Sequence, residues 1–145
     1  MWSEFLTPII IVSLIATTLQ TMTPILFAAL GETVAERAGI YNMGLEGTML
    51  MAAFASFAAM HATGSGLVGI GAGALTGLVV CLLLALLAVL LQVEQIIAGL
   101  ALNLLAIGAT GFAYRVLYPS GSLPTITPIP SPDIPALSAL PYIGP

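Results

Sequence analysis

The chain has 145 residues, of which 59% are hydrophobic and only 6% charged, with two basic side chains, Arg37 and Arg115, against six acidic ones. A soluble domain of this length keeps roughly a quarter of its residues charged, so a mean hydropathy of +1.14 means that lipid solvates most of the surface. Nucleic acid is excluded as a partner by the shortage of basic residues.

The first long apolar stretch, residues 9–30, is enough at 1.5 Å per residue to cross a hydrocarbon core of roughly 30 Å. It is longer than a signal-peptide core, and residues 1–6 carry Glu4 but no Lys or Arg, so a retained span is expected. Ser13, Thr17, Gln20 and Pro24 recur along one side of it. Polar groups placed there either join helices or face a wet cavity.

Residues 31–47, GETVAERAGIYNMGLEG, interrupt the apolar pattern with three of the six acidic residues, one of the two arginines and four glycines. Glu32, Glu36 and Arg37, spaced i, i+4 and i+5, form a charged joint that belongs at an interface, or else in a paired or water-filled site inside the bilayer. Asn42 is a candidate N-cap for the next helix, with Glu46 in its first turns, where the helix dipole favours a carboxylate. Gly39, Gly44 and Gly47 each weaken a helix by about 1 kcal/mol relative to Ala. Capping explains these residues, and so does a discontinuous helix whose open backbone lines a solute pathway; both readings stand.

A shorter apolar helix follows at 45–62, then a turn at 61–66, HATGSG. Residues 67–91 hold no charge, and Gly69, Gly73 and Gly77 fall four apart, predicting a helix-packing seam. Gly64, Gly66 and Gly69 match G-x-G-x-x-G, but no strand precedes them, so a dinucleotide site fails its context. After the polar joint QVEQ at 92–95, a further span runs over 96–118, with Gly99, Asn103, Ala106 and Thr110 on one face. From Tyr118 onward lie eight of the ten prolines, which predicts an extended extramembrane loop over 119–145.

Cys81 and His61 are each the sole residue of their type, so neither a disulfide framework nor a zinc site can be assembled, and no cofactor or metal is expected. The expected fold is all-α: a polytopic helical membrane protein with about four transmembrane helices in one bundle over 1–118, plus a broken segment near 31–47. With two arginines the positive-inside rule decides little, and an external N-terminus is favoured.

The run GETVAERAGIYNMGLEGTMLMAAFASF, the segment VEQIIAGLALNLLAIGATGFAYR and the loop IPALSALPYIGP resemble the permease subunits of bacterial ABC importers of the simple-sugar and nucleoside type, kin of the branched-chain amino acid and ribose permeases. The most specific elements are Glu36-Arg37-Ala38-Gly39-Ile40, Asn42-Met43-Gly44-Leu45-Glu46-Gly47 and, far away, Asn103-Leu104-Leu105. The resemblance implies a half-transporter of the cytoplasmic (inner) membrane that pairs with a second permease subunit, a separate ATPase subunit and an extracytoplasmic solute-binding protein. It implies that the chain itself is no enzyme, that it is an N-terminal fragment, and that the ATPase-coupling segment belongs to the other half. Val93-Glu94-Gln95 departs from the family's basic residue at that joint. Gln20, Asn42, Glu46 and Asn103 are the expected contacts for a hydroxylated solute. The competing class is a secondary transporter or channel that uses the carboxylates of Glu32, Glu36 and Glu46. An intramembrane enzyme lacks HExxH, an aspartate pair, and a serine with a placed base.

Overall fold

A computed structural model describes residues 8–119 and 124–126, the first two of these by backbone alone. Among the described residues there are four α-helices and no strand: α1 (Pro8–Arg37), α2 (Leu45–Thr63), α3 (Gly66–Ala85), which continues into a wider π turn (Leu86–Leu90), and α4 (Gln95–Leu117). The fold is thus the all-α, polytopic class that the composition requires. The proline-rich loop lies almost wholly outside the described residues.

Among the described residues three helical stretches are long and apolar enough to cross a bilayer: Ile10–Arg37, Gly66–Leu90 and Gln95–Leu117. At 19 residues, α2 is not among them, because small and polar residues such as Glu46, Thr48, Ser56 and His61 dilute its apolar content.

The break begins later than the sequence pattern suggests. Instead of ending near Leu30, α1 runs on to Arg37, since ETVAER contains no residue that forbids helix. Its stop is a Schellman motif: Gly39 at φ +82° donates to Glu36 O at 2.9 Å, and Ile40 N to Ala35 O at 3.0 Å. That left-handed position suits glycine. Arg37 sits in the last turn, where the negative end of the helix dipole favours a cation. Within α1, Pro24 has no N–H, so the carbonyl of Gln20 loses its helical donor while the helix continues.

The chain divides into two compact units between Leu30 and Gly31. In the first, the described part of α1 exposes almost its whole apolar surface. In the second, Gly31–Ile129, α2 packs against both α3 and α4. Lipid is as apolar as leucine and does not drive helices together, so close backbone approach must do so. On α3, a Cβ added at Gly69 would lie 3.0 Å from Ser56 O, and one at Gly73 3.2 Å from Ala52 O. The expected seam of three glycines is in fact made by two, because a Cβ at Gly77 would meet nothing within 4 Å. Four residues, about one turn, carry Gly77 past the crossing with α2 at Gly73, toward the end of α3 that meets α4. There Leu84, Ala98 and Leu102 form a small buried cluster, joined by Leu87.

The helix-end contacts show that α2 and α4 run parallel. Gly47 near the start of α2 meets Asn103, and Phe57 and His61 near its end meet Tyr118. The Phe57 and His61 rings stack with 5° between planes, and Tyr118 stands edge-on to both, with Tyr114 against it. Aromatic side chains of this kind gather at membrane–water interfaces.

The α2–α3 crossing predicts that Gly73→Leu lowers the thermal unfolding midpoint of the purified protein in detergent by an amount equivalent to about 1–3 kcal/mol of overpacking, whereas Gly77→Leu leaves it unchanged or raised. Equal losses at both positions would remove Gly73 from the seam.

Candidate functional site

The segment between α1 and α2, residues 38–44, lies along α4, and the register can be read from three contacts. Tyr41 N donates to Gln95 Oε1 at 2.6 Å, and Gln95 Nε2 donates to Gly39 O at 3.1 Å. One turn further along α4, Gly99 sits directly beneath the chain: a Cβ there would be 2.7 Å from both Gly44 N and Met43 Cβ. One turn further again, Asn103 Oδ1 accepts from Gly47 N at 2.6 Å and Asn103 Nδ2 donates to Met43 O at 3.0 Å. Positions 95, 99 and 103 recur at i, i+4 and i+8 and so form one stripe. From Gln95 to Asn103 is about 12 Å along the helix axis, roughly a third of what α4 spans. The break at Gly39 and Tyr41 is thus level with the first residue of this apolar helix, and the start of α2 at Gly47 lies about a third of the way along it.

In hydrocarbon every backbone N–H and C=O needs a partner within the protein. The two carboxamides supply them from both sides of each contact, one oxygen accepting and one nitrogen donating. Asn103 in effect caps α2 from another helix, since its oxygen takes one of the first N–H groups that the helix leaves unbonded. The sequence pattern assigns this capping to Asn42. In the structure α2 begins at Leu45 with Gly44 at the N-cap position, which brings no side-chain cap. Asn42 acts one step earlier: its Oδ1 accepts from Gly44 N at 3.0 Å, a turn that bends the chain into the helix. Thr48, buried at 8% exposure, closes the first turn with Oγ1 donating to Gly44 O at 3.0 Å.

Glu32 Oε1 accepts from Asn42 N at 2.7 Å, while its second oxygen is buried without a hydrogen-bond partner. Glu36 and Arg37 are exposed. Glu46 is in the first turn of α2, as expected, and exposed. Among the four expected solute contacts, the structure brings Asn42, Glu46 and Asn103 to the break, whereas Gln20 is exposed on α1 in the other unit. Gln95 and Gly99 did not stand out as site residues in the sequence; extending the Gly99–Asn103 face back by one turn reaches Gln95. Among the described residues no group of His, Cys, Asp or Glu could hold a metal ion.

A polytopic helical chain with a polar break set along an apolar helix is the architecture of a membrane permease. Residues 14–128 match the family described as the branched-chain amino acid transport system / permease component, and the chain belongs to that family. It is 39% identical over 99 residues to a putative glucose ABC transporter permease protein of Haloferax volcanii, covering 68% of this chain and 30% of that protein. It is 35% identical to a nucleoside ABC transporter permease protein of Lactococcus lactis and 30% identical to a guanosine ABC transporter permease protein of Bacillus subtilis, each over 138 residues, 90% of this chain and 43% of the relative. The chain spans less than half the length of these relatives. No solved structure matches it. Family membership and the three apolar helices make it a multi-pass protein of the cytoplasmic membrane.

The fit between α4 and the break predicts that Gly99→Ala destabilises the protein in detergent by about 1–3 kcal/mol, because its methyl group must displace backbone. Gly108→Ala on the same helix, where a Cβ meets open space, should be neutral or slightly stabilising; thermal unfolding of both variants checks the contrast.

Proposed function

We propose that this chain forms part of the membrane-spanning permease subunit of an ATP-driven importer, carrying a small hydrophilic solute of the nucleoside or simple-sugar class. Two of the three relatives above are named for nucleoside or guanosine transport and one for glucose, solutes that share a polyhydroxylated ring. The observation that supports the reading is the interruption at residues 38–44, whose irregular backbone and polar side chains run along the first third of the apolar helix α4. Transport proteins use such interruptions to present hydrogen-bonding groups to a solute within the bilayer.

In this reading ATP is hydrolysed by a separate subunit, a second permease subunit completes the pathway, and an extracytoplasmic binding protein delivers the solute. Closure of the ATPase subunits rocks the permease halves so that the pathway opens first to one side and then to the other. Asn42, Glu46 and Asn103 line the pathway near the break, and Gln20 lines it on α1. The exposed Glu46 carboxylate accepts hydrogen bonds from solute hydroxyls. Asn103 has a second lone pair and a second N–H beyond those it spends on the backbone.

Proteoliposomes holding the permease with its ATPase and binding protein should take up radiolabelled nucleoside or sugar only when ATP is supplied. A proton ionophore should leave the rate unchanged. Uptake that persists without ATP and collapses with the ionophore would replace this reading by a proton-coupled carrier. Losing a hydrogen bond to a charged group costs about 1.5–3 kcal/mol, so Glu46→Ala should slow uptake about tenfold or more while the ATPase still assembles.

A further inference from the structure

Two side-chain amides on one helix hold the break, and each does so in the same way. Gln95 accepts from Tyr41 N and donates to Gly39 O; Asn103 accepts from Gly47 N and donates to Met43 O. Between them Gly99 lets the backbone at Met43 and Gly44 settle against α4. All four backbone groups belong to the stretch 39–47, and their partners stand two turns apart on one face of α4. At its α1 end the stretch is held by the backbone bonds of Gly39 and Ile40 to Glu36 O and Ala35 O, and by Asn42 N donating to Glu32.

We propose that Gln95 and Asn103 are positioning residues forming a two-point amide clasp that makes the break and the start of α2 move with α4 as one rigid body. The interruption is then not the hinge of the transport cycle. It travels with α4, and the Glu46 carboxylate keeps a fixed place relative to that helix while the pathway opens and closes. Only a carboxamide does this at each point: a carboxylate of the same shape keeps the acceptor but turns the donor into a second acceptor facing a carbonyl, and an apolar side chain loses both. Because the chain is held at two places, release of either frees the segment between them, and the effects of releasing both should not multiply.

The assignment rests on the transport reading above, and the experiment separates the two. Gln95→Glu, Asn103→Asp and the double variant are made in the permease, membrane levels are measured, and the protein is placed in lipid nanodiscs without ATP for hydrogen exchange. A backbone hydrogen bond is worth about 0.5–1.5 kcal/mol net, so exchange over residues 39–47 should quicken roughly threefold to tenfold, with the α2–α3 turn at 63–65 unchanged. In proteoliposomes with the ATPase and binding protein, Gln95→Glu should lower the maximal uptake rate about tenfold at an unchanged half-saturating solute concentration, Asn103→Asp should lower the maximal rate about tenfold as well, and the double variant should fall no further than the weaker single one. The amide swaps Gln95→Asn and Asn103→Gln should restore part of the rate, which a mere loss of stability would not predict. Unchanged exchange over 39–47 overturns the clasp, as does quickened exchange with an unaltered maximal rate, or a double variant showing the product of the single effects. If the unaltered permease takes up no solute with its partners, the transport reading fails, and the exchange arm alone decides whether the clasp exists.

Discussion

An irregular stretch of polypeptide inside a bilayer must find every hydrogen-bond partner within the protein. Water at the membrane surface would satisfy the backbone of residues 38–44 at no cost, but in hydrocarbon each open group costs several kcal/mol. The chain meets that demand in four ways, one of them the Glu32 carboxylate, which accepts from Asn42 N. The Schellman turn closes the end of α1, Asn42 bonds to the backbone two residues on, and the amides of Gln95 and Asn103 reach in from α4. Much else follows from this. With one of its first N–H groups, that of Gly47, bonded by a side chain from another helix, α2 can begin a third of the way along α4.

The same requirement explains where the glycines are. Asn103 reaches backbone on α2 only because Gly47 has no side chain in the way; a Cβ there would stand 2.6 Å from the amide oxygen. Gly99 does the same for Met43 and Gly44, and Ala106, fully buried, keeps the next turn of α4 close. Short contacts thus serve both the polar network and the dispersion packing that replaces the hydrophobic effect between helices in lipid. On its other face α2 repeats the device against Gly69 and Gly73 of α3. Small residues on two sides make α2 the element around which the second unit is built, even though it is not among the helices apolar enough to cross a bilayer.

How legible this was in the sequence depends on the range of the interaction. Helix existence was plain, because apolar runs of twenty or more residues with no charge admit few other readings. The break was visible as a density of glycine and charge, but its start was misplaced by seven residues. Glu32, Glu36 and Arg37 look like a loop by composition, yet nothing in them opposes helix, and only Gly39, by taking a left-handed conformation, ends it. Local rules make Asn42 a candidate for the cap of α2, beside its candidacy for the solute pathway. The cap came instead from a residue 56 positions away, and no local rule can choose between two asparagines at that separation. Gly77 shows the converse limit: a spacing of four marks a face but not how far along it the neighbour extends. Gln95 was passed over because a glutamine beside a charged joint looks like surface.

The parallel course of α2 and α4 has one more effect. Their contact is fastened at Gly47 with Asn103, and again where Tyr118 stands edge-on to Phe57 and His61. From position 47 to position 61 is about 21 Å of helix, most of the hydrocarbon thickness. Two helices tied at both ends over that length act as a splint that opposes their sliding past one another, so the aromatic end and the broken segment are coupled along the axis.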